Sequence, residues 1–513
     1  MMGLLAALQT RVEKLWRWIS VTDRNAMIFL VLLGAALFIP WLGLRDVIAN
    51  SEGQRTYPPL EMIQTGDWVV PKLNGVPYLK KPPLLYWAVA VTYKVLGVGE
   101  FQARLPGAVC GILFVLCVYY IARQMGDRRT ALLAGTIAAT NFLTIDKARE
   151  CQLESPLVLF VTIALYQWWR AFKLWENGQF AKARLSLYVG AVALALANLL
   201  KIPVPFLFML SAIIGTAVCM RRWKWLLWPH SWLALILSIG PVALWAYALS
   251  QRLGWELISS VWFNEAKIHA EKASSLSGGP PWFYLGPVLG YFAPWCALYP
   301  VLFLKKFWRD QIGKDRLTFH FLWTGTALPL IFLSLNAAKE SDYFISLIAL
   351  LCILLARAFF FARENFAHPL IHKLTSRTAV AGILALYCLG MWIVHPIAES
   401  YDSRERSPKE TVRRTLEIAD RDKRPLLYYD MNDPKLYFYV RRIIANYEES
   451  DGEKVVTALR EHPNTIVFGE EDTMQQLTKA HPDMQFRELL ETPEKLRQVP
   501  YELVAFDPAK SAQ

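Results

Sequence analysis

Up to about residue 400 the chain is a succession of long apolar runs separated by short charged stretches. The first run covers 26–44 and follows Arg11, Lys14, Arg17 and Arg24. Further runs are centred on 103–122, 130–145, 153–171, 185–200, 203–220, 231–250, 283–304, 317–335, 343–362 and 378–396. A bilayer is crossed by about 20 apolar residues in a helix. The pattern therefore predicts about eleven spans, or up to about thirteen if some segments are split or re-entrant. The first run is long for a signal-peptide core and no small-residue cleavage site follows it, so it is expected to stay as an uncleaved first span.

After about residue 400 the period shortens. Strand-like stretches at 426–430, 443–447, 465–469 and 501–506 alternate with helical ones at 434–442, 453–462 and 472–481. Such alternation predicts a small α/β domain. The expected fold is a mainly α, polytopic membrane domain over 1–398, followed by a soluble α/β domain over 399–513. A first outer loop with juxtamembrane helices is expected over 45–102.

Charge sets the orientation. Alternate loops are basic: Arg123, Arg128 and Arg129; Arg170, Lys173, Lys182 and Arg184; Arg221, Arg222 and Lys224; then Lys305, Lys306, Arg309, Lys314 and Arg316; then Arg357, Arg363, Lys373 and Arg377. Basic loops stay in the cytoplasm. The N-terminus is thus expected inside, and an odd span count places the tail outside. Composition agrees: 54% of residues are hydrophobic, 19% are charged and the mean hydropathy is +0.26. These values exclude disorder and a single soluble domain. The net charge of +12 belongs to the inner loops, so no nucleic-acid partner is expected. The seven cysteines lie in or beside apolar segments and form neither a disulfide framework nor a CxxC metal pair.

The unusual chemistry lies in the expected outer loops. Residues 45–55 read RDVIANSEGQR, and 66–87 read GDWVVPKLNGVPYLKKPPLLYW. Two prolines after Lys81 suit a helix start, where a missing amide donor costs little. A helix start beside Lys80 and Lys81 suits a lipid phosphate. Glu52 follows one span end, and Glu154 sits at the mouth of another. Two readings are open: the carboxylates share a pocket as base and orienting or metal-binding group, or each caps a helix or pairs with Arg55 or Arg149. Lys201 and Lys339 either meet a phosphate or snorkel to the headgroups. Glu265 and His269 lie in the loop 251–281.

In order along the chain, GDWVVPKLNGVPYLKKPPLLYW, Arg104-Leu105-Pro106, Leu153-Glu154-Ser155-Pro156, Lys201-Ile202-Pro203, Pro281-Trp282-Phe283-Tyr284 and Ser334-Leu335 with Lys339 and Tyr343 resemble the ArnT-like glycosyltransferases. These belong to the wider dolichyl-phosphate-mannose protein mannosyltransferase group (glycosyltransferase family 39, GT-C fold). The resemblance covers the membrane part to about residue 362. It implies a polyprenyl (undecaprenyl) phosphate-linked sugar donor and an inverting transfer on the outer face of a bacterial inner membrane. The acceptor is a lipid, glycan or protein, with lipid A modification as one such reaction. Glu52 takes the place of the family's catalytic Asp, because Ser51-Glu52 stands where the family has Asp-Glu. Glu154 falls on the second acidic position. Lys81, helped by Lys201 and Lys339, is implied for the donor phosphate. Gln54, Tyr57, Tyr78, Glu265 and Tyr343 are implied for substrate contacts. The resemblance fixes no cofactor and leaves a divalent metal ion open, with Glu154 and His269 as its candidate ligands. Lys80 stands where the family often has Glu, which points to a relative with a different sugar or acceptor. A non-catalytic polyprenyl-lipid-binding protein and a membrane transporter are the alternatives. A transporter is expected to show internal repeats and midplane charges, and neither is seen.

Overall fold

The computed structural model describes residues 2–274, 279–336, 339–484, 486–489 and 503–508. Its contacts divide into two units. The first comprises Met1–Leu42, Leu79–Leu85 and Arg104–Val394; the second comprises Gly43–Tyr78, Tyr86–Ala103 and His395–Gln513.

The first unit is a bundle of helices. By length and composition, seven helices among the described residues can cross a membrane, or up to nine if each of two bent pairs is one span. The bent pairs are Thr10–Val21 with Asp23–Phe38, at 119°, and Leu285–Tyr291 with Trp295–Leu302, at 112°. Two shorter apolar helices, Leu84–Leu96 and Val204–Met220, fall below that length. The protein is a multi-pass membrane protein. The span expected at 130–145 is broken. Helix Arg128–Ala139 stops at Thr140, and Asn141 caps a new helix, Phe142–Arg149, by accepting from the Thr144 N–H at 3.1 Å. A side-chain acceptor at this point lets the backbone restart in a new direction.

Small residues set the close packing of the bundle. Helix Glu154–Glu176 lies against Phe180–Asn198, and a Cβ at Gly190 would sit 2.7 Å from the Trp168 ring. Only a missing side chain admits that indole, as expected where helices pack without a hydrophobic drive from water.

The second unit gathers residues distant in sequence. Residues 43–78 and 86–103, assigned by sequence to the membrane part, pack with 395–513. The reason is a set of specific polar contacts. Strands β1 (Lys72–Leu73) and β2 (Val76–Pro77) form an antiparallel hairpin. Its turn is Asn74-Gly75, with φ of 52° and 84°. Asn-Gly suits such a two-residue turn because both positions need positive φ. The Asn74 side chain then donates to the Ile444 carbonyl at 2.8 Å and accepts from the Ile444 N–H at 2.9 Å.

The tail is the α/β fold expected from its alternation. Strands β3 (Leu426–Tyr429), β4 (Asn446–Tyr447), β5 (Ile466–Glu470), β6 (Phe486–Glu488) and β7 (Leu503–Pro508) form one sheet in the order β4-β3-β5-β7-β6. The first three strands are parallel, and β7 runs antiparallel to both β5 and β6. Helix Gly452–Glu461 buries Val455, Val456 and Leu459, and helix Glu471–Ala480 buries Met474 and Leu477, against Leu427, Tyr429 and Val467 of the sheet. The spacing of three and four residues puts each set on one helix face.

Candidate functional site

In the first unit, Glu154 opens its helix and lies 9% exposed. A carboxylate suits the positive end of a helix dipole. The Lys201 ammonium Nζ donates to Glu154 Oε1 at 3.2 Å. The same ammonium sits 5.1 Å from the centroid of the Tyr343 ring, a cation–π distance. Three of the residues expected at the site, Glu154, Lys201 and Tyr343, are thus in direct contact.

Next to Tyr343 is a second charged group. Lys147 Nζ lies 3.1 Å from each of Asp146, Glu150 and Asp342. Its side chain is 12% exposed. Burial pulls the Lys147 pKa down, but Glu150, Asp146 and Asp342 outweigh it, and the net shift is upward. This cluster ties helix Phe142–Arg149 to the 3₁₀ turn Ser341–Leu347 that carries Tyr343. Sequence reading passed over both Lys147 and Asp342, because a lysine among carboxylates in a short loop has no distinguishing local pattern.

The two lysines after the hairpin precede helix Leu84–Leu96, as Pro82 and Pro83 led us to expect. Leu84 N–H donates to the Leu199 carbonyl at 3.1 Å, which holds the 79–85 segment beside the turn after helix Phe180–Asn198 that carries Lys201. Lys80 pairs with Glu265 at 2.7 Å. Glu265, expected at the substrate, therefore neutralises Lys80 in this structure. Trp262 Nε1–H donates to the Leu79 carbonyl at 3.1 Å, on the same helix as Glu265. Lys81 is partly buried. Lys339 Nζ donates to the Gly279 carbonyl at 3.0 Å. His269 lies outside the described side chains.

In the second unit, helix Asn50–Thr65 carries Glu52 in its first turn. Glu52 is 1% exposed, and Arg45 Nη2 supplies the counter-charge at 3.4 Å from Oε2. Pro58 lacks the N–H that would bond four residues back, to Gln54. The Gln54 carbonyl instead accepts from Arg55 Nη1 at 3.3 Å. Arg55 Nη1 also donates to Tyr78 Oη at 3.2 Å, and Tyr78 Oη donates to Gln54 Oε1 at 2.9 Å. Gln54 and Tyr78, both expected at the substrate, therefore form one network with Arg55. Sequence reading gave Arg55 no role beyond pairing with a carboxylate.

Tyr57 departs from its expected role. It is fully buried, with its ring 5.5 Å from Tyr437 by centroids. Burial, with Glu61 beside it, pushes the Tyr57 phenol pKa well up. It is a core residue of this unit rather than a sugar contact. The GDW motif is structural too. Asp67 Oδ1 accepts from the N–H groups of Val69 at 3.1 Å and Val70 at 3.2 Å, and Asp67 pairs with Lys72 at 3.2 Å. Among the described residues, no group of three or more His, Cys, Asp or Glu could hold a metal ion; the side chain of His269, the other expected ligand beside Glu154, lies outside them.

A family model described as dolichyl-phosphate-mannose-protein mannosyltransferase matches residues 80–247. The chain is 27% identical over 299 residues to an uncharacterized protein of Aquifex aeolicus (strain VF5), covering 58% of this chain and 56% of that one. It is 26% identical over 355 residues to the undecaprenyl phosphate-alpha-4-amino-4-deoxy-L-arabinose arabinosyl transferase of Yersinia enterocolitica, covering 66% of this chain and 60% of that one. The chain thus spans less than two thirds of the length of these relatives. Among solved structures, it superposes on ArnT from Cupriavidus metallidurans bound to undecaprenyl phosphate with a TM-score of 0.73, at 19% identity, over 96% of this chain and 100% of that one.

The chain has the ArnT-like, GT-C fold.

A more distant likeness is to the archaeal oligosaccharyltransferase AglB from Archaeoglobus fulgidus, with a TM-score of 0.51, 14% identity, and 87% and 69% of the two chains covered. The stretch matched by the family model holds Lys81, Glu154 and Lys201. The superposition on ArnT runs through almost the whole chain, including most of the second unit.

Proposed function

We propose that this chain is an inverting glycosyltransferase. It moves a sugar from a polyprenyl phosphate, of the undecaprenyl class, to a lipid, glycan or protein acceptor at the outer face of a bacterial inner membrane. The observation that carries this reading is the near-complete superposition on ArnT, whose crystal structure holds undecaprenyl phosphate. The name of the Yersinia relative supports the same donor class.

The acceptor oxygen attacks the anomeric carbon from the face opposite the phosphate. Its proton passes to the Glu52 carboxylate, or is already absent if the acceptor is an anionic phosphate. The bond from the anomeric carbon to the phosphate oxygen breaks, and its electron pair leaves with the polyprenyl phosphate. Lys81, Lys201 and Lys339 stabilise the charge that develops there. Lys201 already has a carboxylate partner in Glu154. The donor phosphate replaces that partner, so Glu154 sets how tightly the lipid is held. Gln54 and Tyr78 orient the sugar from the Arg55 network. The inner-loop lysines and arginines keep the N-terminus in the cytoplasm, with residues 399–513 periplasmic.

The test is release of free undecaprenyl phosphate from undecaprenyl-phosphate sugars by the purified protein in nanodiscs, with membrane lipid extract as acceptor. Wild type should release it, while Glu52→Gln and Lys81→Ala at normal abundance should not. Full activity in both variants overturns the assignment. No release by wild type with lipid still bound replaces it with a polyprenyl-lipid-binding role.

A further inference from the structure

Glu52 belongs to a longer chain of charges within its unit. Arg45 Nη2 lies 3.4 Å from Glu52 Oε2, and Arg45 Nε lies 3.2 Å from Glu399 Oε2. Glu399 Oε1 in turn lies 3.4 Å from His395 Nε2. Glu399 and His395 are one turn apart on helix His395–Arg406, which follows directly on the π-helical turn Gly390–Val394. One guanidinium therefore faces two carboxylates, Glu52 through Nη2 and Glu399 through Nε, the second as an ion pair without hydrogen-bond geometry. A planar fork with fixed donors can do this, and a lysine ammonium cannot match it.

The segment carrying Arg45 is held by the same region. Asp46 N–H donates to Ser403 Oγ at 3.0 Å, and Val47 N–H donates to Tyr439 Oη at 2.6 Å. Lys409 bridges Asp46 at 2.9 Å and Glu100 at 2.5 Å. Burial of Arg45 and Glu399 limits other arrangements, since their side chains are 18% and 14% exposed. A carboxylate 1% exposed, such as Glu52, depends on the place of its counter-ion.

We infer that Glu399, acting through Arg45, is a positioning residue for Glu52, and that helix His395–Arg406 thereby completes the setting of the proposed base. The inference rests on the reading of Glu52 given above. It gives residues 395–406 a part in turnover.

The experiment measures kcat and KM for donor lipid separately in nanodiscs, with thermal melting, for wild type, Glu52→Gln, Glu399→Gln and Arg45→Lys. Misplacing a reacting group lowers turnover rather than binding. Glu399→Gln is expected to lose about tenfold or more in kcat at unchanged KM, assayed below the temperature at which its melting curve departs from the folded baseline. Arg45→Lys is expected to fall between Glu399→Gln and wild type. Wild-type kcat in Glu399→Gln, with Glu52→Gln inactive, overturns the inference and leaves the proposed function standing. Full activity in Glu52→Gln removes Glu52 from the chemistry, whatever Glu399→Gln does. If Glu399→Gln does not fold, Arg45→Lys decides on the same split: reduced kcat at unchanged KM upholds the inference, and unchanged kcat overturns it.

Discussion

Lys201 is held between Glu154, 3.2 Å from its ammonium, and the Tyr343 ring, 5.1 Å away. The three residues come from the ends of separate helical segments, so this one cation joins them. Both members of the ion pair are largely buried. Removing one partner of a buried pair leaves an uncompensated charge and costs about 3 kcal/mol or more, whereas removing both costs less than the sum. Thermal denaturation of Glu154→Gln, Lys201→Met and the double variant should show that coupling. Additive losses would show that the two side chains do not depend on each other.

Lys147 should matter to stability as much as any residue of the site. Its ammonium is shared by Asp146, Glu150 and Asp342. Its folded pKa is raised, so its stabilising contribution is complete below the ordinary lysine value of 10.5 and is lost only as pH rises through the folded value. Wild-type stability should therefore not change through Lys147 near neutral pH. Lys147→Met leaves three carboxylates together and should lose about 3 kcal/mol. Melting curves from about pH 8 down to about pH 5 should show the variant recovering relative to wild type, as carboxylates begin to protonate. A constant gap across that range would refute the electrostatic account.

Glu61 should make the second unit pH-sensitive. Burial raises its carboxyl above the ordinary 4.5, against the opposing pull of the Gly75 N–H, Lys72, Asn74 and Tyr57. A raised folded pKa means that the folded state holds the proton more tightly than the unfolded one. Stability from this group therefore falls as pH rises from 4.5 through the folded value. Glu61→Gln keeps an oxygen for the Gly75 N–H, which Glu61 Oε1 accepts at 3.0 Å, and removes the titration. Its melting temperature should gain on wild type as pH rises through that range. Parallel curves would show that Glu61 is not the group responsible.

Gly53, beside Glu52, has no room for a side chain. A Cβ there would lie 2.7 Å from the Lys435 nitrogen and 2.8 Å from the Pro434 carbonyl carbon, both backbone atoms. Helix Asn50–Thr65 rests at this point on the start of helix Pro434–Val440. Gly53→Ala should cost about 1–3 kcal/mol, as overpacking does. Limited proteolysis should then cut residues 409–480 sooner than in wild type. An unchanged digestion rate and melting temperature would mean that the two helices separate without penalty.

Much of the fold was legible because it is written in local periods. The apolar runs mark the bundle, and the strand–helix alternation after residue 400 marks four of the five strands of the sheet within a few residues, while the short β6 (Phe486–Glu488) went unread. Pro82 and Pro83 marked the start of helix Leu84–Leu96. Asn74-Gly75 carried a hairpin signal that the prolines and lysines around it obscured. The break at Thr140 and Asn141 was hidden because the apolar residues continue across it, while one capping side chain redirects the backbone. Tyr57 was implied as a sugar contact by the resemblance alone, yet its helix turns it onto Tyr437.

The sequence by itself determined the membrane class, the α/β tail and the ArnT-like likeness, since run length, period and motif order are properties of neighbours along the chain. Only the tertiary structure decided which charges meet. Glu154 and Lys201 are 47 positions apart, and Asn74 and Ile444 are 370 apart. Arg45 finds Glu399, and Lys147 finds Asp342, by the same means. A buried charge must have a partner. Which partner it has depends on the packing that brings distant segments together, and no local pattern records that.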